Sequence, residues 1–299
     1  MRILITGSEG VVGKEIASLF RKDKKYKLFL LTNKKINKNK KKNNFFYQDL
    51  TKPINYKFRI DAIIHCASKN PASKLSNTSK NTYSTNIKMT KNLIKFSNKN
   101  NVRKIIFLSA MDVYGLIKKK VVYEDQKPLN SNLYGKSKFL SEKLFCEKKN
   151  KFQTICCRIP GIFTLDVTRD RPVIISILKK IIRNEDVIAY NLNKKFNNIL
   201  DPDEIVKFIK TILKKKIKSE KYNFSASRPI KFIQVINLIK KNFKSKSNII
   251  EKKTDKDSFI ISNKKIRNHF NFRISSTKKI INRCCKKILL QNKNLLNSF

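Results

Sequence analysis

Tyr134 stands four residues ahead of Lys138 in the stretch NSNLYGKSKFLSEK (130–143), a spacing that puts a phenol and an ammonium on one helix face. Such a pair can exchange a proton with a substrate hydroxyl. A free tyrosine titrates near ~10, so use near neutrality asks for about three units, roughly 4 kcal/mol, of preferential stabilisation of the phenolate. One ammonium in a partly dry site supplies part of that. The spacing alone carries little weight, because Tyr114 and Lys118, Tyr123 and Lys127, and Tyr190 and Lys194 repeat it, so four of the nine tyrosines match. Order along the chain has to single one out.

A second constellation lies in RILITGSEGVVGKEIASLF, which reads as strand, turn and helix with Gly7, Gly10 and Gly13 at the turn. Glycines belong there because the backbone must turn tightly, admit a pyrophosphate against its N–H groups, and let helix and strand pack closely. The helix N-terminus then faces the phosphates. The chain has only six glycines, so three at these spacings in one turn weigh heavily.

The elements that must position these residues alternate. RILIT (2–6), KLFLLT (27–32), NFFYQ (44–48), DAIIHCA (61–67), KIIFLSA (104–110) and TICCRIP (154–160) read as strands. Residues 10–22, 81–101 and 133–149 carry apolar side chains at helical spacing. Strands that are apolar on both faces and alternate with helices imply an α/β fold, a doubly wound parallel sheet covered on each side. Ligands gather at the carboxyl ends of such strands. After Pro160 the pattern loosens into a loop, helices over 173–185 and 201–218, and a strand feeding a short helix over 258–272.

Bulk composition narrows the function classes. The formal charge is +48, from 69 basic and 21 acidic residues, but the lysines run along the whole chain beside abundant Asn and Ile with no Trp. That is the mark of a compositional bias toward A-rich codons, and it argues against a dedicated nucleic-acid surface. The densest run, TNKKINKNKKKNN (32–44), is expected to be a solvated loop. Six cysteines without a CxxC suggest neither a zinc site nor a disulfide framework, and point to a reducing, cytoplasmic setting with no metal. MRILITGSEG enters a strand at once, leaving no room for a signal peptide, and no apolar run nears the ~20 residues of a membrane span.

The spacing GxxGxxG resembles the short-chain dehydrogenase/reductase superfamily, and DAIIHCAS, IIFLSAMDVYG, NLYGKSKFLSE, CRIPGIF and KFNNILDPDEIVKFI follow in the order of its extended branch, the nucleotide-sugar epimerase/dehydratase family. The resemblance spans nearly all of the first 275 residues. It implies a Rossmann-type NAD(P)-binding domain over 1–160 and a smaller C-terminal α/β substrate-binding region over 161–290 that partly returns to the first; beyond it, residues 291–299 have little to pack with and are expected to form a flexible tail. It also implies hydride transfer on a nucleotide-linked sugar, in surface-polysaccharide or deoxysugar synthesis, by a homodimer joined through the helix of Tyr134.

Family order selects Tyr134 as acid/base and Lys138 as its tuner and ribose ligand. On the cofactor side it points to Gly7, Gly10, Val11, Val12, Gly13, Thr32, Asn33, Asp49, Leu50, Cys66, Ala67, Asn86 and Pro160, and on the substrate side to Lys194 and Asn198. His65 is expected to be a satisfied strand-end histidine. A carboxylate about 20 residues past the glycines would favour NAD. Thr32 and Asn33 stand there, followed by Lys34 and Lys35, which favours NADP over NAD. In the family a Ser or Thr sits four residues before the tyrosine of VYG; here that position is Ala110. Ser109 is the neighbouring hydroxyl that could substitute, although strand alternation aims it the other way. Met111 and Asp112 replace the Asp-Glu pair of the family's dehydratases, which disfavours dehydration. The rival expectation is a cofactor-binding protein with weakened catalysis.

Overall fold

The structure is a computed structural model and describes residues 1–57, 59–69, 78–167, 172–255 and 257–291. In chain order it forms β1 (Arg2–Thr6), α1 (Val11–Arg21), β2 (Lys27–Thr32), α2 (Lys38–Lys42), β3 (Phe45–Tyr47), β4 (Ala62–His65), α3 (Thr78–Lys99), β5 (Lys104–Ala110), a 3-10 turn (Met111–Tyr114), β6 (Val121–Val122), α4 (Leu133–Phe145) and β7 (Gln153–Ile159). There follow β8 (Gly161–Ile162), α5 (Val173–Ile182), β9 (Val187–Tyr190), β10 (Lys195–Phe196), β11 (Ile199–Leu200), α6 (Pro202–Leu213), β12 (Glu220–Asn223), β13 (Ile230–Lys231), α7 (Phe232–Phe243), β14 (Ile249–Lys252), β15 (Ile260–Ile261), α8 (Lys264–Phe270) and α9 (Thr277–Gln291).

Two compact units emerge. The first comprises Met1–Leu116, Glu124–Ile159 and Ile205–Tyr222; the second comprises Ile117–Tyr123, Pro160–Glu204 and the chain from Asn223 on.

The first unit is built on a seven-stranded sheet of order β12-β7-β5-β4-β1-β2-β3, parallel throughout from β7 to β3. The chain starts at β1, works outward to β3, and restarts on the other side at β4. The carboxyl ends of β1 and β4 therefore flank the topological switch point, where such sheets bind ligands. Ile3, Leu4, Ile5, Ile63 and Ile105 are fully buried, as expected of strands covered on both faces. Leu4, Ile63 and Ile105 pack with Leu93, Phe96, Phe107, Phe145 and Phe152, each contributing on the order of 1.5–3 kcal/mol by burial. At the opposite end of the sheet Lys104 Nζ donates to the carbonyls of Ile212 and Leu213, at 2.9 and 2.8 Å, satisfying the carboxyl end of α6.

In the second unit short strands pair two by two: β8 with β11, β9 with β14 and β6 with β15 in parallel, and β10 with β13 antiparallel. Its apolar stripes come from α5 (Ile174, Ile177, Leu178, Ile181), α7 (Val235, Ile236, Ile239) and α9 (Ile280, Ile281, Ile288). Arg283 of α9 donates to Asp201 at 2.7 Å and to Glu204 at 2.9 Å, and Glu204 also accepts from the Ser275 backbone and hydroxyl.

Where sequence and structure differ, the causes are local. The lysine run expected as a loop contains the one-turn helix α2, closed by Asn44 in the left-handed conformation at φ 57°. Lysine is an adequate helix former and the turn stays at the surface. The helix expected to reach 149 ends at Phe145, where Asn150 Nδ2 takes up the last carbonyls of Leu144 and Phe145. The expected frayed tail lies almost wholly outside the described residues.

Candidate active site

Gly7 follows β1 at φ +64°, and a Cβ there would stand 2.7 Å from Ala67 Cα, so the turn after β1 meets the chain leaving β4 without a side chain between them. Cys66 N donates to Thr6 O at 3.2 Å and Ala67 N to Thr6 Oγ1 at 3.3 Å, tying the two strand ends together. α1 then starts from Gly10 with no side-chain cap and no acid in its first turn. The amides of Val11, Val12 and Gly13 have no intrahelical acceptor and point out of the helix start. This cradle fits the pyrophosphate of a dinucleotide.

His65, at the end of β4, is buried, shares a hydrogen bond of 2.7 Å with Thr6 Oγ1 and stacks on Phe107 with ring centroids 5.4 Å apart. Burial, reinforced by Lys138, lowers its pKa to about 3, so it is a neutral structural residue. Cys66 beside it is pushed up to about 12 by burial, against the opposing pull of Lys138.

Tyr134 and Lys138 lie on α4. Asn132 caps that helix by accepting from Gly135 N at 2.7 Å, and Gly135 lets α4 lie against the 3-10 turn: a Cβ there would sit 2.1 Å from Asp112 O. The Lys138 ammonium is 3% exposed as a residue, donates to Leu108 O at 2.9 Å, and stands 4.7 Å from the Phe107 ring centre and 5.6 Å from that of Tyr134. Burial lowers its pKa to about 8, with Cys66, Glu142 and Asp112 pulling upward. Burial, with Asp112 adding to it, holds the Tyr134 phenol above the ordinary tyrosine value, while a hydrogen bond with the Ser68 hydroxyl works the other way.

Asn86 of α3 is buried and braces this corner. Its Oδ1 accepts from Lys69 N at 2.8 Å, and its Nδ2 donates to Lys69 O at 3.1 Å and to Ser137 Oγ at 3.0 Å. Ser109 does not join the pair. As strand alternation implies, its hydroxyl faces away and donates to buried Glu142 at 2.5 Å. Glu142 in turn is gripped by Arg158 through Nε at 3.0 Å and Nη2 at 2.6 Å. Ser109, expected as a stand-in hydroxyl, is thereby engaged in an internal ion-pair network. Ala110 ends β5 in extended conformation.

The remaining cofactor-side expectations sit at the carboxyl ends of β2 and β3. Thr32 is buried and its hydroxyl donates to Glu9 Oε2 at 2.6 Å, while Asn33 is exposed. Asp49 accepts from Thr51 N at 2.9 Å and Thr51 Oγ1 at 2.8 Å, which lower its pKa and make it the cap of its own turn. Leu50 is buried and its carbonyl receives Asn92 Nδ2 at 2.9 Å. The first unit thus gathers the glycine turn, Cys66, Ala67, Asn86, Tyr134 and Lys138.

Pro160, Lys194 and Asn198 belong to the second unit. There a cavity of about 410 Å³ is lined by Tyr190, Lys194, Phe196, Asn198, Phe232 and Phe259, among others. The Phe196 and Phe232 rings are 5.0 Å apart. Asn198 Oδ1 is buried with no hydrogen-bond partner among the described residues. Its neighbour Asn197 is fully engaged with Ala226 O, Ile261 O and Ile261 N, which fixes the link between β10 and β11 that presents Asn198. Among the described residues no cluster of His, Cys, Asp and Glu could hold a metal ion, and no helix is long and apolar enough to cross a membrane.

Two residues at the site escaped the sequence reading, Ser68 and Glu9. Glu9 carried a signal: it is one of 21 acids in a chain of net charge +48, placed inside the glycine turn.

Parallel sheet, glycine turn and the Tyr-Lys helix together define a dinucleotide-dependent short-chain oxidoreductase fold. A sequence model of the NAD dependent epimerase/dehydratase family matches residues 3–225, and the chain belongs to that family. Similar solved structures include UDP-glucose 4-epimerase of Thermotoga maritima with UDP-glucose, at 18% identity and TM-score 0.81 over 99% of this chain and 100% of that one. UDP-N-acetylglucosamine 4-epimerase of Bacillus cereus follows at 19% identity and TM-score 0.78, over 98% and 96%. RMD of Pseudomonas aeruginosa complexed with NADPH gives 18% and 0.75, over 97% and 99%. At these identities the likeness speaks for the fold. No curated protein matches the chain.

Proposed function

We propose that this chain is an NAD(P)-dependent oxidoreductase or epimerase acting on a nucleotide-linked sugar, with Tyr134 exchanging the proton of the sugar hydroxyl. The observation that carries the reading is the Tyr134–Lys138 pair on α4, a half-buried phenol beside a buried ammonium, in the same unit as an open glycine cradle at the switch point of the sheet. Gly7, Gly10 and the amides of Val11, Val12 and Gly13 hold the pyrophosphate, and Lys138 reaches the nicotinamide ribose. A nicotinamide dinucleotide held there would supply the hydride acceptor and donor for oxidation of the sugar carbon and its reduction back.

Lys138 keeps its proton below about pH 8 and stabilises the Tyr134 phenolate, opposing the burial that favours the neutral phenol. The Tyr134 phenolate takes the hydroxyl proton as the sugar is oxidised and gives it back on reduction. Asn86 holds the post-β4 chain and α4 in register. The aromatic cavity of the second unit takes the nucleotide, where Asn198 Oδ1 awaits a donor and Lys194 supplies positive charge for the diphosphate. Dehydration is disfavoured by Met111 and Asp112.

A second reading is favoured by Ala110: a cofactor-binding protein whose turnover is weakened by the missing hydroxyl. Two measurements decide. Fluorescence titration with NADH and NADPH tests the cradle, and absence of binding ends both readings. Hydride exchange with a panel of UDP-, GDP- and dTDP-sugars then separates them, since binding without turnover of any sugar leaves the second.

A further inference from the structure

The carboxyl end of β2 is where a dinucleotide fold meets the adenosine ribose, and an acid there accepts hydrogen bonds from the 2′-hydroxyl and repels a 2′-phosphate. β2 of this chain ends at Thr32 and is followed by Asn33, with no acid of its own. An acid reaches the place by another route. Thr32 Oγ1 donates to Glu9 Oε2 at 2.6 Å, across 23 residues of sequence. The same hydroxyl accepts from Lys34 N at 3.1 Å, so its single proton is committed to Glu9. The turn carrying Glu9 is buckled to β2 one residue earlier, where Ser8 N and Ser8 Oγ both donate to Leu31 O at 3.2 and 3.0 Å.

We propose that Glu9 selects NAD over NADP, its carboxylate doing from the glycine turn what an acid at the end of β2 otherwise does. The inference rests on the cofactor reading above and adds a discriminating residue to it. Lys34 and Lys35, which on sequence alone favour NADP, are exposed. Their charges are spread by solvent and salt, whereas Glu9 is half-buried and tethered against the strand end. A carboxylate held there faces a 2′-phosphate at close range and in lower dielectric, so its repulsion outweighs the lysines. The 2′-hydroxyl of NAD instead finds an acceptor.

The test is equilibrium binding of NADH and NADPH to the full chain, read by cofactor fluorescence and by calorimetry. The wild type is expected to bind NADH about tenfold or more tighter than NADPH. Glu9→Gln keeps an acceptor for Thr32 and removes the charge, and should narrow the ratio chiefly by tightening NADPH. Equal or tighter wild-type binding of NADPH overturns the assignment while leaving the cofactor reading intact. So does a ratio unchanged in Glu9→Gln. Binding of neither cofactor overturns both. The wild-type ratio stands as a test by itself should Glu9→Gln fail to fold.

Discussion

Asn86 Nδ2 donates to Ser137 Oγ at 3.0 Å, and one turn further along both helices Thr90 Oγ1 and Ser141 Oγ share a hydrogen bond of 2.8 Å. This two-rung ladder zips α3 to α4 in a buried seam and fixes the rotation of the helix that carries Lys138, the residue after Ser137. Asn86 also clamps both backbone groups of Lys69. Asn86→Ala removes the bonds to Ser137 and to both backbone groups of Lys69 and strands buried donors and acceptors, so it should destabilise the protein by about 2–3 kcal/mol in urea unfolding. Hydride exchange should fall by more than the lost folded fraction explains; an unchanged rate per folded molecule would make Asn86 purely structural.

Tyr134→Phe keeps the ring beside Lys138 and deletes only the hydroxyl. Its hydride exchange should drop by ~10²–10⁴, with cofactor affinity nearly unchanged. Lys138→Met should lose rate and cofactor affinity together, because that ammonium has two tasks. Equal turnover of wild type and Tyr134→Phe would sink the acid/base assignment.

Ala110→Ser restores the hydroxyl at the strand end without touching Ser109, whose own hydroxyl is held by Glu142. If positioning of the sugar oxygen limits the rate, Ala110→Ser should raise kcat at least several-fold, within the ~10²–10⁴ of a positioned acid/base group. Ser109→Ala should leave kcat in place and cost about 1–2 kcal/mol of stability through the Glu142–Arg158 network. A fall in kcat for Ser109→Ala larger than its stability loss explains would return Ser109 to the chemistry.

What the sequence disclosed follows from burial. β1, β2, β4, β5 and β7 are covered on both faces, so they read as apolar runs, and the glycine turn and the Tyr-Lys helix follow in family order. The helices α7 and α9 went unread, and so did the pairing of the second unit's short strands. The strand at Ile260–Ile261 is legible, but its partner Val121–Val122 is too short for any period and lies across a long separation. The same distance hid the site's fine structure. Glu9 reaches Thr32 over 23 residues and Asn86 reaches Ser137 over 51, and each is an ordinary polar residue until the sheet brings it to its partner.

His65 gives the fold a pH limit. Unfolded, it titrates at its ordinary 6.5; folded, burial with the nearby Lys138 lowers it to about 3. As pH falls from 6.5 toward 3 the unfolded chain takes up a proton that the folded one refuses, so stability drops by about 1.4 kcal/mol per unit. Above 6.5 neither state is protonated and the dependence vanishes; below 3 both are, and the loss is complete. Between pH 7 and pH 4.5 the His65 share amounts to about 3 kcal/mol. It is read as the difference in urea-unfolding free energy between wild type and His65→Asn at each pH. That difference should shift against the wild type as the solution is acidified. A pH-independent difference would show that the ring is reached by solvent or finds a partner for its proton.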